Sequence, residues 1–150
     1  MKTKGWHRSL IGLICLLPFL AGCGANLAAA TPAPHALTVT RSQWPAGNRF
    51  PPFVKTSDDS AGVNRLYDAI QALPHFQGVY ACANDDGLAY ELTFALPGVP
   101  KQPITVAGTG CRGVTLSDSD MRMTNKAFWS LFAQTLGVSE ADLFPDPLSN

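Results

Sequence analysis

GVYACANDDGLAYELTFAL, residues 78–96, is the stretch on which the fold turns. In its second half Leu88, Tyr90, Leu92, Phe94 and Leu96 alternate with Ala89, Glu91, Thr93 and Ala95. A period of two predicts a strand with one buried face. NDDG (84–87) ahead of it reads as a turn, with Asn84 at the first position of a type I turn and Gly87 as a left-handed residue that closes a three-residue loop. That loop predicts a hairpin pairing Cys82 with Tyr90 and Tyr80 with Leu92, so that Tyr80 and Cys82 face the core. A two-residue loop would turn them outward, because a one-residue slip reverses every side chain. A buried disulfide at Cys82 favours the first register.

Outward from this strand, Leu37–Thr40 is β-branched and alternating and predicts a first strand. SQWPAGNRFPPF (42–53) is rich in Pro and Gly and predicts an exposed loop, followed by a short extended piece at Phe53–Thr56. SDDSAGVNRLYDAIQALP (57–74) predicts a helix. Asp58, Asp59 and Ser60 are its cap candidates, Val63, Leu66, Tyr67, Ile70 and Leu73 form its apolar stripe, and Pro74 ends it. Ile104–Ala107 and Arg112–Leu116 predict two further strands around a GTG turn. Thr124 is the expected cap of a second helix, NKAFWSLFAQTLG (125–137), closed by Gly137. Phe128, Leu131, Phe132 and Leu136 share its apolar face and Trp129 lies off it, either in the core or as an exposed aromatic contact. The tail after Gly137 is expected to add one short turn and fray. Consecutive strands flanked by helices predict an α+β domain, an antiparallel sheet of four to five strands with two helices on one face.

The N-terminus gives an address. Lys2, Lys4 and Arg8 precede an eleven-residue apolar run, Leu10–Leu20. This is the layout of a secretory signal. As a helix the run would reach roughly 16 Å, short of the roughly 30 Å of a hydrocarbon core. Leu20-Ala21-Gly22-Cys23 resembles the bacterial lipobox. The resemblance implies cleavage after residue 22 and acylation of Cys23, with two or three acyl chains holding the protein on the extracytoplasmic face of the cell membrane. Residues 23–36 then read as a flexible tether, 37–137 as the domain and 138–150 as a C-terminal tail. Cys15 would leave with the signal.

Loss of Lys2, Lys4 and Arg8 takes the eleven Lys and Arg to eight, against eleven Asp and Glu. A mildly acidic chain without a basic patch disfavours nucleic acid. Cys82 and Cys111 remain as an isolated pair, and in an exported chain such a pair predicts a disulfide. On the chain-entropy account a bridge of this span is worth roughly 3–4 kcal/mol.

No nucleophile elbow, zinc-protease motif, P-loop or dinucleotide fingerprint is present. His75, after the helix-ending Pro74, reads as a solvated loop histidine; Asp85-Asp86 reads as a turn, and Ser117–Asp120 lacks the Gly and Glu of a calcium loop. No catalytic residue, metal or cofactor is expected.

ALP (72–74), the Gly78–Cys82 segment, Gly87, YELTF (90–94), TGC (109–111) and AFWSLFAQTLG (127–137) together resemble uncharacterised secreted proteins and lipoproteins of Actinobacteria and Chloroflexi. Relatives often carry proline after the first cysteine, where this chain has Ala83. The resemblance implies the cysteine pair and the domain limits, and no activity. The expected function is that of a membrane-anchored, non-enzymatic binding or envelope-interaction domain with a protein or small-molecule partner. The alternative is a secreted protease-inhibitor-like module presenting the 42–53 loop; an enzyme built on His75 with an acid and a serine comes third.

Overall fold

A computed structural model of the chain describes residues 32–43, 49–78, 81–82, 85–98 and 102–146. The signal segment, Cys23 and the tether through residue 31 lie outside the described residues. So do residues 44–48, at the centre of the Pro-rich loop.

The chain is α+β with one antiparallel sheet. Strands β1 (Leu37–Gln43), β2 (Val54–Ser57), β3 (Leu88–Phe94), β4 (Pro103–Ala107), β5 (Gly113–Ser117) and β6 (Asp120–Met123) lie in the order β2-β1-β3-β4-β5-β6. Helices α1 (Ser60–Ala72), α2 (Lys126–Leu136) and α3 (Glu140–Leu143) complete the fold. Six strands and three helices stand where four to five strands and two helices were expected. The additions are β2, where only a short extended piece was expected, β6 and α3, each of four residues, while the segment around Cys82 contributes no strand among the described residues. Such short elements carry little periodicity to read.

The central correction concerns β3. Its alternation is as expected, with Leu88, Tyr90, Leu92 and Phe94 buried. Its partners are not. One edge pairs with β1, placing Arg41 opposite Tyr90 and Val39 opposite Leu92. The other pairs with β4, placing Val106 opposite Tyr90 and Ile104 opposite Leu92. A strand has two edges, so Cys82 cannot also pair with Tyr90. Ala81 and Cys82 lie in irregular chain. Gly87 does take the left-handed conformation, at φ 74°. Because β1 runs antiparallel to both neighbours, β2 and β3 are parallel, and α1 is the crossover that parallel strands require.

α1 ends as its sequence dictates. Leu73 is extended (φ −61°, ψ 145°), as the residue before Pro74 must be. Asp59 occupies the N-cap position without a side-chain cap bond. In α2 the cap is Asn125 rather than Thr124: the Asn125 side chain accepts from the Phe128 amide at 2.9 Å. Gly137 closes α2 at φ 63°. Ser139 and Asp142 form a capping box that starts α3. Leu143 is fully buried, so the tail is packed as far as its short helix. Upstream of β1, Pro34 is also buried, and the His35 amide donates to the Ala95 carbonyl at 3.1 Å.

One core holds the helices on the sheet. Leu37, Val39, Tyr90, Leu92, Val106 and Val114 face Val63, Leu66, Ile70 and Phe132, all fully buried. Trp129 is core as well, 4% exposed. It is buried off the α2 stripe because Phe144, just past α3, packs against it with ring centroids 4.8 Å apart.

One cross-strand row organises this face: Arg41, Tyr90, Val106, Val114 and Arg122 stand opposite one another across five strands. Its middle is apolar or aromatic and each end is an arginine. Arg41 donates to the Pro51 carbonyl (2.6 Å) and the Asp142 carbonyl (2.5 Å) and lies over the Phe53 ring. Tyr90 donates its hydroxyl to the Leu143 carbonyl. Burial pushes the Tyr90 phenol up in pKa, against the opposing pull of the Arg41 hydrogen bond and charge. At the other end Arg122 donates to the Gln71 and Leu73 carbonyls, where the end of α1 leaves acceptors without helical partners.

Candidate functional site

A groove of about 700 Å³ opens where β5, β6, α2 and α3 converge. Its floor is apolar, formed by Trp129, Phe144 and Met123, and the Cys82–Cys111 disulfide lines one wall. The two cysteine Cα atoms are 5.1 Å apart, inside the range a disulfide spans. The bridge is half-buried and ties the 81–82 segment to the turn between β4 and β5. The expected cysteine pair therefore exists, although it does not sit in the expected hairpin.

Residue 112 is the unusual part of this wall. Arg112 has φ 42°, the only positive φ at a non-glycine among the described residues. An L-residue there costs about 1–2 kcal/mol. Its carbonyl is held by two donors, the Thr124 amide at 3.1 Å and the Thr124 hydroxyl at 2.5 Å. The same hydroxyl accepts from the Trp129 indole N–H at 3.0 Å. A chain of hydrogen bonds thus runs from the groove floor to the strained backbone. The Arg112 guanidinium lies 4.6 Å over the Phe144 ring. Strain of this kind persists where the surroundings over-determine it, and it clusters at functional sites.

The other residues singled out by sequence resolve into structural roles. Residues 74–76 hydrogen-bond along the outer edge of β6, through Phe76 N–H to Met121 and Met123 N–H to Pro74. This brings His75 Nδ1 to 3.3 Å from Asp120, a proximity that sequence did not anticipate. Arg122, however, spans both Asp120 oxygens at 2.8 and 3.0 Å while also holding the end of α1. The Arg122 hydrogen bonds, then its charge and that of His75, hold the Asp120 carboxyl below the usual aspartate range, over an opposing effect of burial. The trio is a clamp between α1 and the sheet edge. Ser117–Asp120 is the β5–β6 turn.

Asp85 accepts from the Gly87 amide (3.0 Å) and the Thr109 hydroxyl (3.1 Å), so it braces one turn against another. Asp86 lies 3.5 Å from Arg49. Among the described residues no group of three or more His, Cys, Asp or Glu is placed to hold a metal, and no helix is long and apolar enough to cross a membrane. The ends of the 42–53 loop are anchored by buried Phe50 and by the Pro51–Arg41 bond.

Sequence reasoning missed the groove because its lining comes from five separated segments. The one local hint was Lys126, a cation in the first turn of a helix that contains no acid there. No family model, curated protein or solved structure matches the chain.

Proposed function

We propose that the protein is a bacterial lipoprotein, held by acylated Cys23 at the extracytoplasmic face of the membrane, whose domain binds a ligand without catalysis through the groove beside the cystine. The observation that carries the reading is the coincidence of an apolar floor, a cystine wall and a strained, cationic Arg112 in one cavity of about 700 Å³. That volume falls in the range of small-molecule sites.

Two experiments test the parts separately. Cys23→Ser should abolish lipid processing and release the chain from the membrane fraction; unchanged partition would sink the anchor. For the groove, a photo-crosslinking residue is placed at Lys126 and, as the comparison, at Thr105 on the open sheet face. Adducts in intact cells specific to position 126 support the reading. Equal labelling at both positions, or none at 126, removes the groove as the binding surface.

A further inference from the structure

Resting on that reading of the groove, we propose that it takes a carboxylate-bearing small molecule with an apolar body, the carboxylate meeting Arg112 and Lys126 and the body lying on Phe144 and Trp129. Four observations converge on the charge of the ligand. Arg112 holds its place through its backbone, and its guanidinium rests on a ring face rather than on an acid. Stacking of this kind fixes the plane of the fork and leaves its N–H edge for a planar anion. Lys126 begins α2 with its positive charge against the positive end of the helix, an arrangement that disfavours the folded chain unless an anion sits nearby. Neither cation takes part in an ion pair among the described residues.

The remaining charge in the groove opposes these two cations but leaves the charged lining net positive. Glu140 is the one acid among the described lining residues, and its carboxylate accepts from the Ser130 hydroxyl at 2.5 Å. Beyond the signal the chain is acidic, eight Lys and Arg against eleven Asp and Glu, so a groove lined by two cations and one acid departs from its general character. Both break a local rule: one backbone conformation and one helix-end charge. Natural sequences break such rules where function requires it.

The test uses the full chain in detergent and three probes sharing the phenylalanine body: N-acetyl-phenylalanine, its isosteric neutral amide, and the smaller, cationic phenylalaninamide lacking the acetyl group. Binding is read by ligand-observed saturation-transfer NMR, titrated to a Kd. The carboxylate is expected to bind about tenfold tighter than the amide, the scale of a charge-assisted hydrogen bond. Arg112→Gly and Lys126→Glu should each erase that preference. Neither should lower the melting temperature by more than a few degrees, since the first suits glycine's backbone freedom and the second suits the helix dipole. Equal binding of carboxylate and amide overturns the anion assignment and leaves the groove standing. A preference that survives both substitutions places the anion elsewhere and overturns the proposal. Silence from all three probes overturns the groove reading as well.

Discussion

The two ends of the Arg41–Arg122 row solve one problem differently. Each arginine reaches from the sheet to backbone carbonyls of an element lying above it. Arg122 also takes a carboxylate, Asp120, in a two-pronged pairing at a solvent-accessible edge. Arg41 has two ring faces and a phenol instead, with centroids at 4.8 Å (Phe53) and 5.6 Å (Tyr90). The Asp142 carboxylate hydrogen-bonds the Ser139 cap and meets the Arg41 charge only through space, while Arg41 bonds the carbonyl of that same residue. An ion pair near solvent is worth little, whereas ring faces packed against a cation lose contact area as well as charge when it goes. Each arginine holds one exposed and one part-buried carbonyl, so the two clamps differ in what else the cation touches: two rings and a phenol at one end, a carboxylate at the other.

The largest expected effect comes from breaking the Arg41 end. Arg41→Met leaves the Pro51 and Asp142 carbonyls without their donor and removes the ring contacts, at a cost of about 3 kcal/mol by urea unfolding. A loss no greater than that of Arg122→Met would reverse the comparison. Next comes Tyr90→Phe, which deletes the hydroxyl bonded to Leu143 and should cost about 1–2 kcal/mol. It should also alter the alkaline limb. The raised phenol pKa means that wild-type stability is complete below about pH 10 and falls as pH rises through the folded value, whereas the Phe variant lacks that fall.

The smaller effects belong to the Arg122 end. Arg122→Met should lower the urea midpoint less than the Arg41 change, with faster hydrogen exchange confined to the last turn of α1. Asp120→Asn should act mainly through pH. The Asp120 carboxyl is depressed, so its contribution is present above the ordinary aspartate range and lost as pH falls through the depressed value; the Asn variant should show a shallower acid limb. Asp142 is depressed too, first by the Ser139 hydroxyl, so an acid limb persists in that variant. A double-mutant cycle sharpens the contrast at the finest scale. Arg41 and Tyr90 should couple, while Arg122 and Tyr90, on the same row with two valines between, should add.

How much of this was legible in sequence depended on the range of the signal. The β3 alternation, the α1 stripe ending at Pro74 and Gly137 at the end of α2 are local, and they read true. The partner of β3 is not local. Proximity favours the 78–82 segment, but the sheet gives both edges to β1 and β4. β6 reads DMRM, with no β-branched residue, and only its pairing shows that Arg122 shares a row with Val114. Leu143 sits in a four-residue helix that no period can announce. Thr124 was read as a cap from its place alone, when its hydroxyl serves Trp129 and Arg112. The strain at Arg112 had no sequence signal, because Gly110 two positions earlier is the residue expected to adopt that conformation, and it adopts it too.

The way the chain enters the sheet has a mechanical consequence. Pro34 is buried and β1 follows at once, laddered to β2 on one side and β3 on the other. Any tension on the N-terminal side therefore arrives at an interior strand and is divided between two ladders, with no edge strand to peel first. A domain pulled from that end should yield late and all at once, and the two arginines should stay seated until it does.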